Sequence, residues 1–365
     1  MKMRQQLPQE QKSRRYQQTK RDKFILNNMA QDSEWAMYRR WKRFGIDAEF
    51  FRQPPVWHYP NKFTPVDQDT LEGIQHMLQQ QWIVEIKDWQ RRPGFYSKLK
   101  LVRKASGKWR STLACVEINK MTVKRHFKSD DLRSFKEILD PVMDMALLDI
   151  KDAFYSKTQR LVKCFRKYFR FATKTRQGIQ AYEFIVTPQG WSTSSRAFHI
   201  MMKEVTKEAN QLGIKHCRAT DDVIIVDQNE RRCGRQLEQF NDILQKHGFE
   251  AKKEKEKRPA RKQIWYGTTI ETAPYVKFSV TRAKVKEMKR AAAWTIKNND
   301  LGRLTPRMVA GFVGKIRADQ LSLECAMAHS FNLIQMQTRA LAANDQNWDA
   351  PFHLSEAAII ELIFF

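Results

Sequence analysis

Residues 217–226 read Cys217-Arg218-Ala219-Thr220-Asp221-Asp222-Val223-Ile224-Ile225-Val226. Two short arms, Cys217–Thr220 and Val223–Val226, flank an aspartate pair, the pattern of strand, tight turn, strand. Aspartate tolerates the left-handed backbone that such a turn requires. Upstream, Met145–Ile150 (MALLDI) is a short apolar run ending in an acid, which predicts a buried central strand. If this strand and the hairpin share a sheet, Asp149, Asp221 and Asp222 meet at its edge. Clustered carboxylates repel, and a divalent cation is the natural compensation. Mg²⁺ favours a few carboxylates completed by water and phosphate oxygens. Two such ions about 3.5–4 Å apart can clamp an in-line phosphoryl displacement. Asp-Asp at a hairpin tip also suits a plain solvated turn, so the neighbouring segments decide between the two readings.

Outward from the hairpin, the chain mixes helix and strand and then turns helical. Residues 69–81 carry helical spacing at Leu71, Ile74 and Leu78. Phe95–Val102 and Lys108–Cys115 read as strands joined by the turn Lys104-Ala105-Ser106-Gly107. Residues 192–212 and 234–247 read as helices, and Ile264–Ile270 as a further strand. From Thr281 onward the pattern is helical, with Thr305-Pro306 as an N-cap followed by proline at the first helical position. The order predicts an α+β body with an appended helical domain.

Composition narrows the partners. The 365 residues hold 66 Lys and Arg against 40 Asp and Glu, a net charge of +26. Such a surplus destabilises the compact state unless an anionic partner offsets it. Nucleic acid is the first candidate, because neutralised phosphates release counterions. No amphipathic segment pairs a basic face with a strong apolar one, so a membrane surface is not expected. Five scattered cysteines without a CxxC or Cys/His cluster argue against zinc and for a reducing compartment. The N-terminal stretch lacks an apolar signal core, and no apolar run is long enough to span a bilayer. A soluble intracellular protein, nuclear or cytoplasmic, is expected.

Residues 1 to about 35 are rich in Gln, Lys and Arg and read as a basic tail. Within it the cluster from Lys12 to Lys23 suits an import signal, a phosphate-binding arm or a plain solvated face. The prolines from Pro54 to Pro65 read as a connector. Gln159–Arg176 intersperses bases with Phe165, Tyr168, Phe169 and Phe171, which suits a single-stranded nucleic-acid track or a packed core equally. Lys284, Lys286, Lys289 and Arg290 suit a duplex-facing or a merely exposed helix surface.

At this point the residues resemble a reverse transcriptase. Leu148-Asp149-Ile150-Lys151-Asp152-Ala153-Phe154 resembles the family's first palm motif. By that resemblance Asp149 and the Ile150 carbonyl touch metal, Asp152 lies beside the triphosphate, and Phe154 is the gate that blocks a ribose 2′-hydroxyl. Thr187-Pro188-Gln189-Gly190-Trp191-Ser192-Thr193-Ser194-Ser195, with Phe198 following, resembles the second motif. Gln189 would contact the incoming nucleotide, and Gly190 would let the backbone approach it. Ala219-Thr220-Asp221-Asp222 resembles the third, which makes Asp149, Asp221 and Asp222 the catalytic set, with Asp149 and Asp221 as metal ligands. Gly248-Phe249, Lys255 and Pro259 resemble the fourth, with Lys255 neutralising or protonating the leaving pyrophosphate. Trp265-Tyr266-Gly267 resembles the fifth, the primer grip. Gly107-Lys108-Trp109-Arg110 resembles the fingers hairpin, where Arg110 with Lys104 or Arg103 would clamp the triphosphate.

The resemblance implies a right-hand polymerase of fingers, palm and thumb, with an antiparallel palm sheet and a helical thumb. Its expected divisions are a basic tail and connector at 1–60, fingers and palm at 61–275, thumb at 276–345 and the start of a connection at 346–365. The implied activity is RNA-directed DNA synthesis from deoxynucleoside triphosphates, on an RNA template with a DNA primer. The cofactor would be two Mg²⁺ ions, with Mn²⁺ as a substitute.

A narrower likeness, to DIRS-type (tyrosine-recombinase) retrotransposons, rests on Gly94-Phe95-Tyr96-Ser97, Asn119-Lys120, His126-Phe127-Lys128 and Trp348-Asp349-Ala350-Pro351 with Leu354-Ser355. A ribonuclease H region follows in that family; here the acids after Trp348 do not make one, so a polyprotein fragment, a truncated copy or a domain used alone is expected. Ala219 stands where the family has an aromatic residue, and Ala114 and Val116 where it has Asp and Arg. Thr187 stands where it commonly has Leu. These departures leave open a fold that binds nucleic acid without synthesis.

Overall fold

The computed structural model describes residues 30–103, 107, 109–323 and 326–365. Lys104 and the basic cluster from Lys12 to Lys23 lie outside the described residues. In chain order the strands are β1 (Ile83–Glu85), β2 (Leu99–Arg103), β3 (Trp109–Leu113), β4 (Asp144–Asp149), β5 (Arg170–Thr175) and β6 (Gly178–Phe184). There follow β7 (His216–Ala219), β8 (Asp222–Asp227), β9 (Lys257–Ala260), β10 (Lys262–Trp265), β11 (Thr268–Glu271) and β12 (Lys277–Val280). The backbone packs into two compact units that interleave along the chain. One comprises the residues up to Ser129, Ile150–Gly213 and Phe240–Lys252. The other comprises Asp130–Asp149, Ile214–Gln239 and Lys253–Phe365.

The second unit holds a four-stranded antiparallel sheet in the order β7-β8-β4-β9. β4 is buried along its whole length, and Val223–Val226 of β8 are fully buried, as a strand covered on both faces requires. On one side Leu132, Phe135 and Leu139 pack with Met145, Leu147, Ile224, Val226 and Trp265. Asp131 starts the helix Leu132–Ile138 by accepting from Arg133 N at 2.9 Å and Ser134 N at 3.0 Å. The turn from β7 to β8 has only two residues, Thr220 and Asp221. It is Thr220, with φ +61°, that takes the left-handed backbone, where the sequence pattern assigned that conformation to aspartate. Such a backbone is costly for a β-branched residue. The buried Arg218 steadies it by donating to Thr220 O at 2.9 Å.

A second hairpin, β10-β11, extends to β12. Ile264–Ile270 is therefore not a single strand: Tyr266 and Gly267, at φ +51° and +73°, turn the chain between two. The helices Arg282–Asp300, Pro306–Ala318, Phe331–Ala343 and Glu356–Phe364 close on Met288, Leu304, Val309, Phe312, Leu333 and Leu362. Thr305 caps the second of these, with Pro306 at the first helical position, as its sequence predicts. Glu361 accepts from Asn332 N and Leu333 N, both at 2.9 Å, and so caps the helix beginning at Phe331.

The first unit contains the sheet β1-β6-β5 and the ribbon β2-β3. Phe169 and Phe171 are fully buried and Tyr168 nearly so, which resolves these three aromatics as core. Arg170 beside them is also buried, and donates from Nη2 and Nε to Glu183 Oε2 at 3.0 and 3.2 Å. Residues 192–212 form two helices, Ser194–Met201 and Lys203–Gln211, with Met202 between them. The helix Ala30–Phe44 begins inside the stretch read as a tail, and Met37, Tyr38 and Trp41 on it are buried. Among the described residues no helix is long and apolar enough to cross a membrane.

Two stability predictions follow from this packing. Removing one partner of a buried ion pair strands the other, so Glu183→Ala should lower unfolding free energy by about 3–5 kcal/mol in urea titrations. Thr220→Gly removes a left-handed threonine and should raise stability by about 0.5–1 kcal/mol. A destabilised Thr220→Gly protein would show that its backbone is not under strain.

Candidate active site

The acidic edge is a product of register. β4 and β8 pair so that Asp149 lies directly opposite Asp222. Directly opposed residues of an antiparallel pair share a face, and like charges placed there are destabilising. The counter-charge is Lys255, whose Nζ donates to Asp149 Oδ2 at 2.6 Å. That bond, opposed by burial and aided by the fields of Asp149, Asp222 and Asp221, holds the ammonium above the ordinary lysine range. Asp149 is buried, while Asp221 and Asp222 are half-buried. Asp221 sits on the turn itself, one residue before the paired position.

Asp149, Asp222 and Lys255 line an open cavity of about 340 Å³, with Trp265 and Tyr266 on its wall. Trp265 is buried and packs on Phe135 at 5.2 Å between ring centres, whereas Tyr266 is 57% exposed. The anchored tryptophan thus holds a turn with an exposed aromatic at its apex. The donors here are carboxylate oxygens, the hard ligands that Mg²⁺ prefers over nitrogen or sulfur. Among the described residues, however, no three His, Cys, Asp or Glu side chains close on one point. The expected convergence of three carboxylates is in this structure a facing pair, Asp149 and Asp222, with a lysine on one of them. The reason is the short turn, which puts Asp222 rather than Asp221 at the paired register position.

The other expected site residues belong to the first unit. Lys151 N donates to Glu250 O at 2.7 Å, which makes Ile150 and Ala251 the non-hydrogen-bonded pair of that bridge. The ladder therefore does not use the Ile150 carbonyl. Asp152 follows in a left-handed turn, at φ +44°. The half-buried Phe154 lies edge-on to Phe198 at 5.9 Å, and its carbonyl accepts from Thr187 Oγ1 at 3.1 Å. Gln189 O accepts from Leu113 N at 2.8 Å, which ties this loop to β3. Gly190 is required at its position: φ is +108°, and a Cβ would lie 2.1 Å from Leu113 O. Arg110 is exposed on β3, three residues from that contact.

Some positioning residues escaped the motif reading. Asn119 brackets the glycine loop, donating from Nδ2 to Gly190 O at 2.8 Å and accepting from Ser192 N at 2.9 Å. It appeared in the sequence only as part of a subfamily likeness. Tyr155 donates its hydroxyl proton to Ser111 O at 2.8 Å and stacks on Trp82. Asp130 accepts from Arg218 N at 3.0 Å and so steadies β7 from outside the hairpin. No local signal marks these, because each acts through a partner distant in sequence.

Residues 102–270 match the family described as reverse transcriptase (RNA-dependent DNA polymerase). No curated protein matches the chain. Among solved structures, the foamy viral protease–reverse transcriptase in complex with double-stranded DNA aligns over 87% of this chain with a TM-score of 0.62 and 15% identity. The alignment covers 51% of that protein, so the chain spans about half its length. Over residues 102–270 the chain is thus similar to reverse transcriptases, and its mixed fold with antiparallel sheets is that of a reverse transcriptase polymerase.

Proposed function

We propose that this protein is an RNA-directed DNA polymerase of a retroelement, of the DIRS type, working inside the cell. The observation that carries the proposal is the cross-strand pair Asp149–Asp222, with Lys255 bound to it in a cavity walled by Trp265 and Tyr266. In this reading residues 61–275 supply fingers and palm, 276–345 the thumb and 346–365 the start of a connection. Asp149 and Asp221, with the Ile150 carbonyl, would hold two Mg²⁺ ions, and Asp222 completes the acidic set. The ions would supply positive charge at the attacking 3′-hydroxyl and at the triphosphate.

The protein's own groups do the positioning. Trp265, Tyr266 and Gly267 hold the primer end, with the exposed Tyr266 ring as the contact surface. Gln189 and Gly190 receive the incoming deoxynucleotide, on a loop that Asn119 and Leu113 keep rigid. Phe154, backed by Phe198, excludes a 2′-hydroxyl. Arg110 and Lys104 clamp the triphosphate, and Asp152 lies beside it. Lys255 would neutralise or protonate the leaving pyrophosphate. The template would be RNA and the primer DNA. Catalysis of this kind is mostly orientation and electrostatics.

Ala219 favours a second reading, a fold that binds nucleic acid without synthesis. It places a methyl group where the family has a ring, in the core beside Phe135 and Trp265.

Primer extension on an RNA template with deoxynucleotides and Mg²⁺ separates the two readings. Synthesis is expected, and Asp149→Asn should reduce it by at least about a hundredfold. Binding of primer–template without synthesis by the unmodified protein would establish the second reading. Phe154→Ala should raise ribonucleotide incorporation by about tenfold or more relative to deoxynucleotides. An unaltered sugar preference would remove Phe154 from the gate.

A further inference from the structure

A second concave site lies within the first unit, and the roles assigned above do not use it. Its volume is about 690 Å³, and three segments distant in sequence line it together with Met201. The end of the helix Ala30–Phe44 contributes Lys42 and Arg43. The stretch 157–166 contributes Lys157, Arg160, Lys163 and Arg166. Residues 246–248 complete the wall. Backbone pairing forces the first two segments together. Ile46 N donates to Arg160 O at 2.7 Å, and Val162 N donates to Ile46 O at 2.9 Å. Gly45 permits this approach: its φ is +95°, and a Cβ there would meet Arg160 O at 3.0 Å.

The charge of the cavity is one-sided. Among the described residues no carboxylate lines it. Lys246 and His247 are compensated by Glu208, at 2.7 and 2.9 Å. The other six cations meet no carboxylate within salt-bridge distance among the described residues. Burial lowers the Arg166 guanidinium below the ordinary arginine range, the field of Glu183 opposes the shift and that of Arg160 adds to it, while its Nε donates to Leu161 O at 3.3 Å. Cations at the end of a helix are unremarkable by themselves, since they complement its dipole. Six from two separate segments around one hollow are not explained that way.

The rim also carries an aromatic ring. Phe44 is 62% exposed, and the Arg43 guanidinium lies 5.0 Å from its ring centre. An exposed ring among lysines and arginines is the combination that holds single strands, with cations on the phosphates and the ring under a base. We propose that this cavity binds single-stranded nucleic acid through its phosphodiester backbone, with one base stacked on Phe44. A compact polyphosphate would share the phosphate chemistry but would leave Phe44 without a function. The proposal rests on the polymerase reading only for the identity of the strand, an RNA template.

The test uses the full chain and a labelled single-stranded RNA of about 15 nucleotides, without Mg²⁺ or nucleotides. By fluorescence anisotropy, Lys42→Glu with Arg160→Glu should weaken binding at least about tenfold at 0.1 M salt. The slope of log affinity against log salt should fall by about 0.7 for each lost phosphate contact. Phe44→Ala should weaken binding about fivefold or more with little change in slope. It also serves as the second variant if the charge reversals fail to fold. A 5-iodouracil-substituted RNA should crosslink to the peptide that contains Phe44. Unchanged affinity and slope in both variants, or crosslinks confined to other peptides, would overturn the proposal. So would thermal stabilisation by inorganic tripolyphosphate that is lost in the charge reversal while RNA affinity is not, because the site would then take a small polyanion. Binding at this site does not require synthesis. A chain that makes no DNA but shows the variant-sensitive binding would refute the polymerase and retain this site.

Discussion

The pairing of β4 with β8 is the constraint on which the candidate site depends. It sets Asp149 opposite Asp222 across a buried sheet. Both faces of this pair are covered, so a slip of one residue would not expose the apolar run; it would carry Asp149 out of register with Asp222 and turn one of them to the other face. The acids therefore depend on the register itself, which the fit of individual buried side chains holds. The cost of two like charges at that edge falls to Lys255, which arrives from a segment about a hundred residues further on. The same packing that stabilises the sheet anchors Trp265, so the exposed Tyr266 beside it is carried on a rigid base.

The first unit solves a different problem, how to keep polar groups fixed inside a core of aromatic rings. Arg170 is buried, donates to Arg92 O and is neutralised by Glu183. Asn119 spans the loop at Gly190, and Leu113 meets its other side, so the loop has little freedom left. A site that acts by orientation needs such support more than it needs reactive groups. The large positive surplus divides accordingly. Some cations, such as Arg170 and Arg218, serve the fold, while six of those around the hollow at Phe44 meet no carboxylate within salt-bridge distance among the described residues.

Much of the site was legible in the sequence because its signals are local. An aspartate pair between two short strands, an acid closing an apolar run and a glycine after glutamine each declare their element within a few residues. Boundaries were less legible. The helix expected over 192–212 breaks at Met202, and the strand expected over 264–270 is a hairpin, because local propensity yields to packing and turn geometry. The left-handed residue of the β7–β8 hairpin is Thr220, which propensity would have ranked below its aspartate neighbour. The surrounding strands and Arg218 hold it there.

By itself the sequence determined which chemistry is available: carboxylates able to bind a metal, aromatic rings, basic side chains able to meet phosphate, and strands and helices to carry them. Those properties are intrinsic to residue types and to spacings of a few positions. Only the tertiary structure decided which acid faces which, that Lys255 lies on Asp149, and that Asn119 serves the loop at Gly190. It also decided that Lys42 and Arg160 share one hollow. These are contacts between residues far apart along the chain. They exist because burial of apolar surface and satisfaction of backbone hydrogen bonds bring distant segments together, and no short window of sequence contains that information.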